Sequence, residues 1–339
     1  MGKKPHKLVK RLGVILSLLL VAYLVLWIIT PSVEEYYGDG GQTGVIAGLE
    51  IPMLEEGEEL IVHTGFALVY AEEHEQPRWV AYELTRDEVY GIYERGDNFR
   101  ADPSISTGSA ALADYRKSGY DRGHLAPAAD MVWSKEALSD SFYMSNMSPQ
   151  KPEFNRGIWA KLEAIVRNLA VTEGAVYVAA GPILTDGPYK TIGENKVSVP
   201  NYYYKVILDY TEPDKKAIGF LLPNEGSKED LSIFATSVDE IQMISGIDFF
   251  PQLPDDEEIV LEANYAYEDW DMQEFRATKA ERLAYSSEDY IVSSTTFESA
   301  DQPSIKKTID HLMVQAKRTT KELIESLWFT LTKKISLNL

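Results

Sequence analysis

Apolar and polar positions fall into blocks of distinct period along the chain. Residues 12–30 (LGVILSLLLVAYLVLWIIT) form an uncharged run behind Lys3, Lys4, Lys7, Lys10 and Arg11. About 20 apolar residues suffice for a helix to cross a bilayer, and the basic flank stays on the cytoplasmic side. The pattern predicts a transmembrane signal-anchor at 12–30 with residues 1–11 in the cytoplasm. No A-x-A pattern lies near Trp27 to Ser32; secretion after cleavage is the alternative, and both place the body outside the cytoplasm, periplasmic or extracellular. Residues 31–59, with five glycines between Gly38 and Gly48 and the acids Glu55, Glu56, Glu58 and Glu59, read as a linker.

Strand-like blocks follow. Residues 60–70 (LIVHTGFALVY) and 77–84 (PRWVAYEL), joined by the polar residues 71–76, predict a hairpin, and 174–180, 202–208 and 216–222 have the same β-rich character. Between them Ile158, Leu162, Ile165 and Leu169 recur at helical spacing, predicting a helix over 155–170. A second helix is predicted over 231–245. This order gives an α+β domain over 60–258 with a mostly antiparallel sheet and packed helices. Residues 259–339 form an acidic segment and then an amphipathic helix, with Ile305, Ile309, Leu312, Ala316, Leu323 and Leu327 on one face. It reads first as an ordinary surface or oligomer helix, and next as one lying on a membrane.

Composition narrows the chemistry. The chain of 339 residues has no cysteine, which excludes disulfides, thiolate zinc sites and cysteine nucleophiles. Its five histidines, His6, His63, His74, His124 and His311, are scattered, so a metal would be held chiefly by oxygen. A net charge of −20 argues against broad binding along a nucleic-acid backbone, which draws affinity from phosphate neutralisation. The excess acid lies largely after Pro254, however, and the stretch from Asp114 to Arg167 is close to balanced.

That balanced stretch holds Asp121, Arg122, Gly123 and His124. A histidine is poised near neutral pH as a general base, and an arginine beside it can fork onto phosphate oxygens. Alone, such a histidine is more often structural. Downstream, Asn155 and Glu163 stand eight residues apart, about two helical turns. They could face one cavity and hold a hydrated magnesium ion, or be a helix N-cap and a solvated charge.

These segments resemble the DNA/RNA non-specific endonucleases, the family of the Serratia nuclease and endonuclease G, with a ββα-metal active site. The signature, Asp-Arg-Gly-His followed by an apolar residue or Gln, three variable residues and a small one, is met from Asp121 to Ala129. A second block, SNMSPQKPEFNRGIWAKLE over 145–163, has the spacing of the family's metal-binding stretch, and similarity extends from about residue 61 to about 251. The resemblance implies His124 as general base and Asn155 as direct ligand of Mg²⁺, with Mn²⁺ the alternative. It further implies that Glu163 orders water around the metal and that Arg122 and Asn146 support phosphate binding and site geometry. An upstream arginine, Arg95 or Arg100, is a further candidate. Expected partners are DNA and/or RNA, the membrane through the N-terminal helix, and a second copy in a homodimer. Alternative functions are a phosphodiesterase acting on another substrate and an inactive nucleic-acid-binding scaffold.

Overall fold

The computed structural model describes Ile46 and residues 48–293. The expected anchor at 12–30 and the expected amphipathic helix after residue 303 lie outside them. Among the described residues no helix is long and apolar enough to cross a membrane.

A seven-stranded antiparallel sheet organises the domain. In chain order its strands are β1 (Leu60–His63), β2 (Phe66–Ala71), β3 (Gln76–Thr85), then β6 (Ala175–Pro182), β9 (Tyr202–Asp209), β10 (Lys216–Pro223) and β11 (Ala235–Thr236), and they neighbour one another in that same order. Two small ladders stand apart: β4 (Asp121–His124) with β5 (Met147–Gln150), and β7 (Lys190–Ile192) with β8 (Val197–Val199). The longer helices are α1 (Lys135–Asp140), α2 (Ala160–Glu173), α3 (Val238–Ser245), α4 (Asp255–Ala263) and α5 (Lys279–Ser293).

Successive side chains of a strand point to opposite faces, and here both faces are covered. On β3, Val80, Tyr82 and Leu84 join a core with α2, whereas Trp79 and Ala81 join a second core with Val238 and Ile241 of α3 and with Phe249 and Phe250. Burial on both sides explains why the strands read as nearly continuous apolar runs.

Three expectations are corrected. Residues 60–71 are two strands, because Gly65, at φ +92°, closes a two-residue turn between paired His63 and Phe66. The 231–245 helix breaks: Ala235 and Thr236 pair with β10, and Ser237 then caps α3 by accepting from Glu240 N. The described end of the expected linker is core, with Leu49 and Ile51 buried. Beyond α4 the chain returns to α2, where Phe275 N donates to Ala164 O at 3.0 Å and Asn168 Nδ2 to Asp271 O at 3.0 Å.

One polar seam crosses the α2 core. Arg167 Nη1 donates to Asp130 Oδ1 at 2.7 Å and Tyr82 Oη to Asp130 Oδ2 at 2.9 Å, all three residues being buried. Replacing Arg167 with alanine strands a buried carboxylate, a change that typically costs about 3–5 kcal/mol. The urea midpoint of the variant is expected to fall accordingly at unchanged m-value; a midpoint equal to wild type would show that the pair contributes nothing.

Candidate active site

Two short strands and a helix build the site. β4 pairs antiparallel with β5, setting Arg122 opposite Pro149 and His124 opposite Met147. Gly123 permits this approach, since a Cβ there would run into the buried side chain of Gln150. Beyond β5 the chain winds through a π-helical turn, Phe154–Trp159, broken at Gly157, before α2 begins. The predicted helix start is thus replaced by a wider turn. In an unbroken α-helix eight residues overshoot two turns by about 80°; here the turn is broken at Gly157, and Asn155 and Glu163 line one cleft. Such turns occur often at functional sites.

The cleft has a volume of about 690 Å³, and its wall includes Arg95, Phe99, Arg122, His124, Asn155 and Glu163. His124 is 8% exposed and its ring lies 5.5 Å from the ring of Phe99 and 5.2 Å from that of Phe142, while Trp159 Nε1 donates to its carbonyl at 3.3 Å. Burial, reinforced by the Arg95 and Arg122 guanidinium groups, pushes the imidazole down to about 3, so it is neutral at physiological pH. Arg122 stands over Phe99 at the cleft wall, its Cζ 3.9 Å from the ring centroid. Burial pushes the Glu163 carboxyl up to about 7 against the opposing charges of Lys205 and Arg167.

Asn155 is aimed by Asp121. Its Nδ2 donates to Asp121 Oδ2 at 3.0 Å, and Arg156 grips the same carboxylate through Nε (2.8 Å) and Nη2 (2.7 Å). A carboxylate only accepts, so Nδ2 is the amide atom turned to Asp121 and Oδ1 is the atom left for a cation. Among the described residues no group of three or more His, Asp or Glu could hold a metal ion. A cation here would therefore meet one amide oxygen and mostly water, which suits a hard divalent ion that dehydrates reluctantly.

This is a ββα unit in which a neutral imidazole, two guanidinium groups and an oriented amide oxygen face one space. The sequence profile described as DNA/RNA non-specific endonuclease matches residues 49–256. The chain belongs to that family. With it the chain is an enzyme that hydrolyses phosphodiester bonds, in a family that works with divalent cations. Mitochondrial nuclease EXOG of Danio rerio is 39% identical over 245 residues, covering 66% of this chain and 71% of that protein. Mitochondrial endonuclease G of Bos taurus is 33% identical over 228 residues, covering 63% and 75%. A solved chain of the EndoG/EndoGI complex superposes with a TM-score of 0.57 at 33% identity, covering 62% of this chain and 91% of that one.

Within this endonuclease site the structure separates the candidates. His124, Arg122, Asn155 and Glu163 converge. Asn146 does not line the cleft: it is fully buried, accepting from Ala126 N at 2.9 Å and donating to Ala126 O and Ser141 O. Its amide is occupied in shaping the backbone just beyond His124, so contact with a phosphate is closed to it. Of the two upstream arginines, Arg95 reaches the cleft. Arg100 is turned away onto the Tyr143 ring, 3.8 Å from its centroid, and donates to Ser139 O at 2.7 Å.

Sequence reasoning missed the orienting role of Asp121 and the platform formed by Phe99. The Phe99 loop is held by Asp102, whose carboxylate takes a bond from Ser145 Oγ and lies 2.8 Å from His63 Nε2. The signal available in the sequence is the stretch FRADPSI over 99–105, where an aromatic residue is followed closely by Arg100 and Asp102.

The depressed His124 pKa has a signed consequence. Between about pH 6.5 and 3 the unfolded chain takes up a proton that the folded imidazole refuses, so this residue removes stability as pH falls. Urea unfolding of wild type and His124→Ala at pH 7 and pH 4.5 should show the variant losing less stability on acidification; parallel losses would mean His124 is not buried neutral.

Proposed function

We propose that the protein is a Mg²⁺-dependent endonuclease that cleaves DNA and RNA with little sequence preference, with His124 as general base and Asn155 as the metal ligand. It is tethered to a membrane by residues 12–30, with its catalytic domain outside the cytoplasm. The observation that carries the chemistry is the convergence of a neutral His124 with an Asn155 amide whose oxygen is set free by Asp121.

Arg95 and Arg122 hold the scissile phosphate at the cleft wall, where their charges attract a phosphodiester anion. The same two charges depress His124, so a bound phosphate that neutralises them raises the basicity of the imidazole as substrate arrives. His124 then accepts the proton of a water that attacks phosphorus in line. When bound, Mg²⁺ supplies charge stabilisation to the phosphate and the leaving oxygen. Asn155 would hold it directly, and Glu163 through water. Phe99 and Phe142 flank His124 and limit water to the cleft side. Contacts to phosphate rather than to base edges carry no sequence information, which supports sugar- and sequence-tolerant cleavage.

Purified His124→Ala should lose at least about 10²-fold in cleavage of both DNA and RNA, and chelation should abolish wild-type turnover until Mg²⁺ is restored. Retained cleavage of both polymers by the variant contradicts the assignment, and turnover confined to a small phosphodiester redirects the substrate. Arg95→Ala should lower kcat/KM for both polymers about tenfold or more while leaving the fold intact. Arg100→Ala should mainly lower stability, and the reverse pattern would exchange the two roles.

A further inference from the structure

Lys205 is fully buried in the sheet, on the face of β9 that it shares with Tyr203 and Ile207 and that packs on α2. Its Nζ has no hydrogen-bond partner among the described residues and stands 4.8 Å from the centroid of the Trp159 ring. Trp159, Glu163 and Arg167 follow one another at intervals of four along one stripe of the helix, so Lys205 faces the stripe that carries Glu163. Arg167 is already claimed by Asp130. This layer therefore holds two acids, buried Asp130 and half-buried Glu163, and two buried cations, Arg167 and Lys205, and only Glu163 and Lys205 lack a direct ion contact of their own.

An ammonium buried without hydrogen bonds is costly unless an opposite charge offsets it. Glu163 is that charge. We infer that Lys205 is a positioning residue of the nuclease: it is the interior counter-charge that holds the Glu163 carboxylate at the floor of the cleft, and through it sets how tightly the site takes a divalent cation. The second half rests on the proposed role of Glu163 toward the cation. Burial pushes the Lys205 ammonium down to about 8, against the opposing charge of Glu163.

A double-variant cycle on the full chain tests this, with two readouts: urea stability of the metal-free protein, and Mg²⁺ affinity by calorimetry. K205M should lower stability in the wild-type background, where it leaves the layer with an uncompensated acid. In the E163Q background, where Lys205 is itself the unbalanced charge, the same substitution should be neutral or stabilising. K205M should also weaken Mg²⁺ binding by about 10–100-fold, the usual effect of losing a residue that supports a metal-facing group. If K205M alone does not fold, E163Q/K205M still should, with at least the stability of E163Q.

Equal losses of stability in both backgrounds, a double variant that fails to fold, or a folded K205M with wild-type Mg²⁺ affinity would each overturn the inference. A wild type that takes up no Mg²⁺ would instead remove the proposed function, while the metal-free cycle would still decide the Lys205–Glu163 pairing.

Discussion

Asp121 joins the two halves of the site. Its carboxylate lies at the start of β4, three residues before His124, and takes bonds from Asn155 and from both donors of Arg156 on the π-turn. Together with the bond from Trp159 Nε1 to the His124 carbonyl, these contacts tie the strand directly to the turn. With the carboxylate in place, the base and the amide oxygen face the same cleft, and the amide can present only one of its ends. The ion pair with Arg156 is exposed on the arginine side and contributes little stability by itself. Its consequence is orientation: the Asn155 nitrogen is turned to Asp121 and the amide oxygen is left free, as the proposed cation seat requires.

Beneath the cleft the physics differs. Charges there are matched in number: Asp130 with Arg167 in the core, and half-buried Glu163 at the cleft floor with buried Lys205 as its inferred counter-charge. Such matching is needed because one unpaired charge in that layer would cost more than most single contacts supply. The cleft wall departs from it on purpose of chemistry: Arg95 and Arg122 crowd a neutral imidazole, an arrangement that favours the arrival of an anion. This local imbalance answers the objection raised by the net charge of −20. The acidic run beyond Pro254 opens α4, where Asp255, Asp256, Glu257 and Glu258 lie at the helix N-terminus and complement its dipole.

Much of this was legible in the sequence because the chemistry sits in two short segments. His124, Asn155 and Glu163 were identifiable from motif and spacing, and the strands from their β-rich runs. Other features were hidden for physical reasons. A π-turn has no periodic signature, so the spacing predicts a plain helix start at Asn155. Asn146 looks like any polar residue near a site, and only its three hydrogen bonds show that its amide is already used. Arg95 and Arg100 lie in a stretch without apolar periodicity, so nothing in the pattern says which one turns inward. Lys205 did leave a trace: a single charge inside YYYKVIL, on a strand buried on both faces, has to find a counter-charge.

The proposed chemistry depends on a cation seated by Asn155 within reach of His124. Crystals of the protein grown with Mn²⁺ and measured at its absorption edge would locate that ion directly. The predicted result is one anomalous peak in contact with Asn155 Oδ1, with water between it and Glu163. A peak elsewhere on the molecule, or none beside Asn155 in a well-ordered cleft, would contradict the account.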